Sequence, residues 1–328
     1  MINVLDGINP RIVVFPNPHY ITINPYLNDL SRSVNAINKN ETKDKSIINF
    51  YKHLFDGDIY IFNWPENIIY QKYGFIQYIL FLIGFFILKL RKIKVILIFH
   101  NITPHLGHNF FTKFIIKIFF KFSNLIITHS LKGLKYLNKN SKIKSIYIPH
   151  PFQGNCYNQK INSFTYDIII WGSIFRYKGI LEFLKNVNKL KRPEKILIIG
   201  KCEDKEYDLQ IKNNINCHVI YENKFVEKDI LNDLILKSKY VVFPYLMKSV
   251  SSSGALIDSL LLGKTVIGPN TGAFQDLSKE GLCFTFDNYN DIFKIIEGGK
   301  KINTDLISEY IEKNTWDHFG ENLIKNIE

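Results

Sequence analysis

Only four cysteines occur in 328 residues, Cys156, Cys202, Cys217 and Cys283. No two stand at the close spacing of a zinc site or a dithiol redox motif, and their scatter excludes a dense disulfide framework. This usage fits a reducing, cytoplasmic compartment. The start, Met1-Ile2-Asn3-Val4-Leu5-Asp6, has neither the basic opening nor the long apolar core of a signal peptide. Apolar runs of bilayer length are missing too. Phe75 to Leu88 is broken only by Gln77, Tyr78 and Gly84, but a span needs roughly 20 apolar residues, so a buried or interfacial helix is expected there. No short-period repeat, low-complexity tail, Ser-His-Asp spacing or metal-ligand cluster stands out. Acidic residues are outnumbered, 30 against 42 Lys and Arg, for a net charge of +12. That excess implies a negative partner: nucleic acid, an anionic membrane surface or a phosphorylated ligand. A codon bias toward Lys, Asn and Ile would produce part of it without any function. No basic recognition motif appears and the lysines are spread along the chain, which argues against nucleic acid.

What is present is a packed α/β protein. Hydrophobic residues make up 46% and aromatics 14%, and the length suits two domains with separate cores. In the first half, strand-like runs at Arg11–Phe15, Asp58–Phe62, Val95–Phe99, Leu125–Thr128 and Ser145–Ile148 alternate with helix-like stretches. The second half restarts at Asp167–Gly172 and continues through Lys195–Gly200, His218–Ile220, Tyr240–Pro244 and Thr265–Gly268. Short apolar strands alternating with helices imply parallel sheets covered on both faces. Two such units in tandem predict two Rossmann-like, doubly wound domains, 1–152 and 153–328, facing across a cleft. The polar stretch Gln153 to Ser163 is the natural linker.

Three motifs could carry chemistry. Ser251-Ser252-Ser253-Gly254-Ala255-Leu256-Ile257-Asp258 reads as a small-residue turn opening a short apolar helix. Small residues at a helix start leave backbone N–H groups free to meet an anion. Asp258, about one turn in, would reach a sugar hydroxyl beside that anion. Anion and polyol together describe a nucleotide-sugar; a tight turn with an N-cap serine describes the same residues equally well. Next, Gly172 follows the first strand of the second half, letting backbone approach a ligand, and Arg176 and Lys178 offer two cations for a diphosphate. Without the first motif, Lys178-Gly179 is only a turn before a helix. Third, His100-Asn101-Ile102-Thr103-Pro104-His105 follows a strand in the first half, where His100 and His105 could serve as bases or hydrogen-bond donors, or simply cap the strand end. His108, His129 and His150 rank behind them. Lys113, Lys117 and Lys121 form a basic stripe on a predicted helix from Phe110 to Phe122. This is either a solvated face or, with the apolar run from Phe75, an anionic-membrane contact spanning 75–122.

On these residues the chain resembles GT-B glycosyltransferases of the large group around glycosyltransferase family 4. Gly172 to Gly179 matches the family's strand-Gly and Lys-Gly turn. Phe243-Pro244-Tyr245 matches its strand ending in Pro-Tyr, and Gly263-Lys264-Thr265-Val266-Ile267 its "Gly-Lys-Pro-Val-Ile". In the first half, Asn24-Pro25-Tyr26, Asn63-Trp64-Pro65-Glu66 and His100 to His105 resemble signatures of a bacterial polysaccharide subgroup. Departures are visible. The Glu-x7-Glu pair has become Val250 and Asp258, Ser173 replaces an Arg whose substitute is Arg176, and Asn63 replaces a His. Val250 leaves retaining or inverting stereochemistry open.

The resemblance implies a metal-independent, cofactor-free hexosyltransferase using a UDP- or GDP-sugar in capsule or O-antigen synthesis. Its donor side would be Gly172, Arg176, Lys178, Ser252, Ser253, Gly254 and Asp258. Its acceptor side would be Asn24, Tyr26, Trp64 and Glu66, with His100 and His105 at the transferring sugar. The acceptor would be a glycan or a polyprenyl-diphosphate-linked chain at the inner membrane face. The implied C-terminal segment, from about Asp305, returns to the first domain. A nucleotide-sugar epimerase of the same architecture and a non-catalytic basic protein binding nucleotide or lipid are the alternatives.

Overall fold

The computed structural model describes residues 10–17, 25–40, 46–102, 109–157, 163–246 and 253–327. The chain divides into two compact units, 1–153 together with 314–328, and 154–313. The first contains β1 (Ile12–Phe15), α1 (Tyr26–Ser33), α2 (Ser46–Lys52), β2 (Ile59–Asn63), α3 (Gly74–Leu90), β3 (Lys94–Phe99), α4 (Phe110–Phe122), β4 (Leu125–Thr128), α5 (Leu131–Asn140) and β5 (Ser145–Tyr147). The second contains β6 (Tyr166–Trp171), α6 (Ile180–Leu190), β7 (Ile196–Ile199), α7 (Lys205–Lys212), β8 (Val219–Glu222), α8 (Lys228–Leu236) and β9 (Ser238–Val242). It continues with α9 (Gly254–Leu261), β10 (Thr265–Pro269), α10 (Gly272–Lys279), β11 (Phe284–Phe286), α11 (Tyr289–Glu297) and α12 (Thr304–Lys313). The last helix, α13 (Trp316–Ile327), belongs to the first unit.

Every residue of β1, β2 and β4 is buried, as strands covered on both faces require. The first sheet runs β1-β2-β3-β4-β5, all parallel. A sheet that grows in one direction through right-handed crossovers collects its helices on one face. Accordingly Phe81 and Phe85 of α3, Phe119 of α4 and Leu137 of α5 share a core with Tyr60, Phe62 and Val95. The other face, with Ile12, Val14, Ile61 and Ile98, is covered by Leu27 and Leu30 of α1 and by Phe319 and Leu323 of α13.

The boundary at 152/153 leaves 314–328 in the second domain, and the contacts put this segment on the first, the return that the resemblance implies, although it begins at Asn314 rather than near Asp305. Phe152 N–H donates to Asn314 O at 2.9 Å where the chain returns. Gly320 lies so close to α1 that a Cβ would stand 2.2 Å from Ser33 O. The Lys94 and Lys144 ammonium groups donate to Ile327 O and Asn326 O at 2.8 and 3.2 Å, cations at the negative end of the helix. Leu323 is fully buried, so Leu323→Ala is expected to cost the first unit about 2–5 kcal/mol. Amide exchange should then quicken in β1 to β5 and stay unchanged in β6 to β11.

The second sheet has the order β8-β7-β6-β9-β10-β11, all parallel. The chain winds outward from β6 to β8, returns to the centre at β9 and winds the other way. This is the doubly wound order, with its reversal between β6 and β9. Among the described residues no helix is long and apolar enough to cross a membrane.

Candidate functional site

Where the winding of an open parallel sheet reverses, neighbouring connections leave on opposite faces, and a crevice forms beyond the strand ends. In the second unit β6 ends there in Trp171-Gly172, and β9 runs out into Phe243-Pro244-Tyr245. Gly179, with φ 65°, opens α6 where any Cβ would lie 2.2 Å from Pro244 O. Only glycine allows the two segments to meet. This seam holds Lys178, on a single 3-10 turn from Arg176 to Lys178. Its Nζ lies 5.3 Å from the Tyr245 ring centroid and 3.3 Å from the point a Gly172 Cβ would occupy. Lys178 is 8% exposed and has no carboxylate partner among the described residues. Burial lowers its pKa.

Tyr245 is hydrogen-bonded to Ser253, the N-cap of α9. Ser253 Oγ accepts from Leu256 N–H at 3.4 Å. Leu256 is the first residue of α9 whose amide has an acceptor among the described residues; the amides of Gly254 and Ala255, which precede it, have none among them. A Cβ on Gly254 would meet open space. A chain of contacts thus joins a buried ammonium, without a carboxylate among the described residues, to the positive end of a helix. Asp258 stands one turn further along α9, partly exposed.

Arg176, expected beside Lys178 on a diphosphate, is half exposed and ion-paired at the surface. It donates to Asp204 Oδ2 at 2.8 Å, Glu206 Oε2 at 3.3 Å and Gln210 Oε1 at 3.3 Å, and its guanidinium lies 5.1 Å from the Tyr207 ring centroid. All four partners sit at α7 or its N-cap. Ser252, His105 and Asn24 lie outside the described residues.

The first unit carries a different cluster. Asn63, His100, His129 and His150 stand at or just beyond the carboxyl ends of β2, β3, β4 and β5, which are neighbours in the sheet. The four therefore form a polar row along one sheet edge. The Tyr26 ring packs edge-on against the row, its centroid 4.9, 5.7 and 5.3 Å from His100, His129 and His150. Trp64 stacks on His100 at 4.2 Å with 21° between planes. Trp64 holds left-handed φ/ψ of 46° and 44°, a conformation that bulky residues rarely adopt and that clusters at functional positions. Trp316 of α13 completes the cluster, 5.1 Å from Tyr26. Tyr26, Trp64 and His100, three expected site residues, are thus together. His129, His150 and Trp316 join them, and one signal in the sequence marks two of these: a histidine at the end of each successive apolar strand.

The hydrogen bonds settle one tautomer. His129 Nδ1 lies 2.9 Å from Ile148 O, a pure acceptor, so Nδ1 carries the hydrogen. His129 Nε2 therefore accepts from the Tyr26 hydroxyl at 2.7 Å. Burial pushes His129 down to about 3 and His150 to about 4, so both rings are neutral at physiological pH. Tyr26 is raised well above its usual range by the same desolvation. His100 Nε2 lies 3.0 Å from Asn63 Oδ1, while Asn63 Nδ2 is buried with no partner among the described residues. Glu66 is buried on the 3-10 turn Pro65–Tyr70, and desolvation raises its carboxyl to about 7.

Two parallel sheets of five and six strands, each interleaved with helices, define the GT-B fold, the fold of a large class of glycosyltransferases. No protein-family model matches the sequence, and no curated protein matches it. Solved structures do match. The chain is similar to Anabaena Alr3699/HepE in complex with UDP-glucose, with a TM-score of 0.63 and 13% identity over 86% of this chain and 82% of that one. It is similar to a glycosyltransferase from Rickettsia africae ESF-5, with a TM-score of 0.62 and 15% identity over 98% of both chains. It is also similar to AviGT4, a glycosyltransferase involved in avilamycin A biosynthesis, with a TM-score of 0.59 and 10% identity over 97% of both. At these identities the similarity is one of fold.

Proposed function

We propose that the protein is a glycosyltransferase that moves a hexose or related sugar from a nucleoside diphosphate donor to a hydroxyl of a growing glycan. The observation that carries this reading is Lys178, a buried ammonium without a counter-charge among the described residues, at the switch point of a doubly wound sheet. An isolated buried cation is costly, and a diphosphate would supply the missing charge. The complexes of HepE with UDP-glucose and with UDP support a nucleotide-sugar as the donor. In this reading the amides from Ser252 to Gly254 meet phosphate, Gly172 lets the donor approach the backbone, and Asp258 accepts from the ribose hydroxyls. Arg176, half exposed in its pairing with Asp204 and Glu206, is the second cation for the diphosphate. The first unit takes the acceptor against Asn24, Tyr26, Trp64 and Glu66, with His100, and after it His105, at the transferring sugar.

The bond from the anomeric carbon to the β-phosphate oxygen breaks, and a bond from that carbon to the acceptor oxygen forms. The diphosphate leaves with the electron pair, and the acceptor's proton passes to a base. Charge growing on the diphosphate is stabilised by Lys178 and the α9 amides, groups already oriented before reaction, so no metal is required. The first-half motifs support a lipid-linked acceptor in surface polysaccharide synthesis, capsule or O-antigen.

The test is nucleoside diphosphate release from UDP- and GDP-sugars, with and without lipid-extract acceptors. Release that depends on the extract is expected, and Asp258→Ala should raise the donor KM about tenfold or more through a lost charged hydrogen bond. Equal donor conversion without extract would replace the transferase with an epimerase. Failure of any nucleotide to bind across the panel would remove the donor site.

A further inference from the structure

We infer that the first unit docks on an anionic phospholipid surface through the outer face of α3 and the neighbouring basic stripe of α4. The inference concerns where the protein sits and does not depend on the transfer reading. α3 buries Tyr78, Phe81, Phe85 and Leu88 against the sheet. A half-buried helix normally presents polar residues on its other side. Here Phe75, Ile76, Ile79, Ile83, Phe86 and Leu90 occupy that side, each between 43 and 83% exposed. At 100° per residue these six fall within an arc of about 100°, opposite the buried residues. The face continues onto α4: Phe75 and Phe111 pack at 5.9 Å, and Phe110 and Phe114 stack at 5.9 Å with both rings exposed. Lys113, Lys117 and Lys121 stand exposed on the same side of α4 and pair with no carboxylate among the described residues.

Charge identifies the occupant. Between Glu66 and Asp167 the chain has 14 lysines and arginines and no acidic residue, against 28 and 30 in the remainder. The entire positive excess of this protein therefore resides in the segment that carries the apolar face. A general lysine bias would not clear aspartate and glutamate from one segment alone. A second copy docking face to face would set this segment against itself and be repelled. A bilayer rich in anionic headgroups matches both features, receiving the apolar arc at the acyl boundary and the lysines at the headgroups. α3 is too short to span, so it lies in the plane of the interface.

The experiment is co-sedimentation of the full chain with vesicles of phosphatidylglycerol and phosphatidylcholine, and with phosphatidylcholine alone, at low and raised salt. Binding to the phosphatidylglycerol vesicles is expected, at least about tenfold weaker on the neutral vesicles or at raised salt. An Ile79→Glu/Ile83→Glu variant, changed only at exposed positions, should lose about tenfold or more with an unaltered melting curve, and Lys113→Glu/Lys117→Glu likewise. Ile83→Ser is the milder change should the double variant fail to fold. The inference is overturned by three results: no binding to phosphatidylglycerol vesicles at low salt, binding indifferent to the apolar substitutions, or a lipid-free dimer that those substitutions disperse.

Discussion

Lys178→Met is expected to stabilise the second unit while removing transfer. Methionine matches the length of the lysine stem and keeps the packing against Tyr245 and Gly172, where Lys178 now lies 92% buried. What it removes is a desolvated charge that no described carboxylate balances, worth about 1–3 kcal/mol in the unliganded protein. In the proposed reaction transfer should fall about 100- to 1,000-fold, because the leaving diphosphate would lose its fixed cation. Lys178→Arg should not restore activity, since a guanidinium is wider than an ammonium and Nζ already lies against the Gly172 backbone. The check is a pair of melting curves with and without UDP. The unmodified protein should melt higher with UDP, whereas the methionine variant should melt higher than the unmodified protein without UDP and gain nothing from it. A lysine that merely held the seam together through its cation–π contact would give the reverse: a destabilised variant with unchanged nucleotide affinity.

The contrast between Lys178 and Arg176 marks how far the sequence could be read. Two cations following a strand-end glycine are visible in the chain. Which of them is ion-paired depends on Asp204 and Glu206, 28 and 30 residues away, and on α7 being folded back beside the loop. The strands were legible because strands buried on both faces are continuous apolar runs, and the crossover helices follow from them. Phe284–Phe286 was not, since three residues on a sheet edge have no period to detect. The return of α13 is likewise absent from local pattern. Its amphipathic face shows that it covers something, but only the sequential order of the first sheet reveals which surface is left bare. His129 and His150 ranked low as single histidines. Their meaning comes from strand adjacency, which turns four separate strand ends into one polar row under Tyr26.

That row should make the first unit acid-sensitive, and Glu66 should mask half of the effect. His129 and His150 fall to about 3 and about 4 in the folded protein, below the roughly 6.5 of an unfolded histidine. Between pH 5.5 and 5 the unfolded chain therefore binds about two protons there that the folded chain does not, and stability falls with falling pH. Glu66 has the opposite sign. Its folded value of about 7 lies above the ordinary carboxyl value of 4.5, so through the same window the folded chain holds one proton that the unfolded chain has released. The net difference is about one proton, a loss of about 1.4 kcal/mol per pH unit. Asp58 and Asp167, both lowered by their basic partners and local hydrogen bonds, titrate below this window. Glu66→Gln removes the compensating proton, and the slope should double to about 2.7 kcal/mol per pH unit. Urea unfolding followed through Trp64 and Trp316 in a Trp171→Phe background measures both slopes. An unchanged slope in Glu66→Gln would mean that Glu66 is ionised in the folded protein through this window.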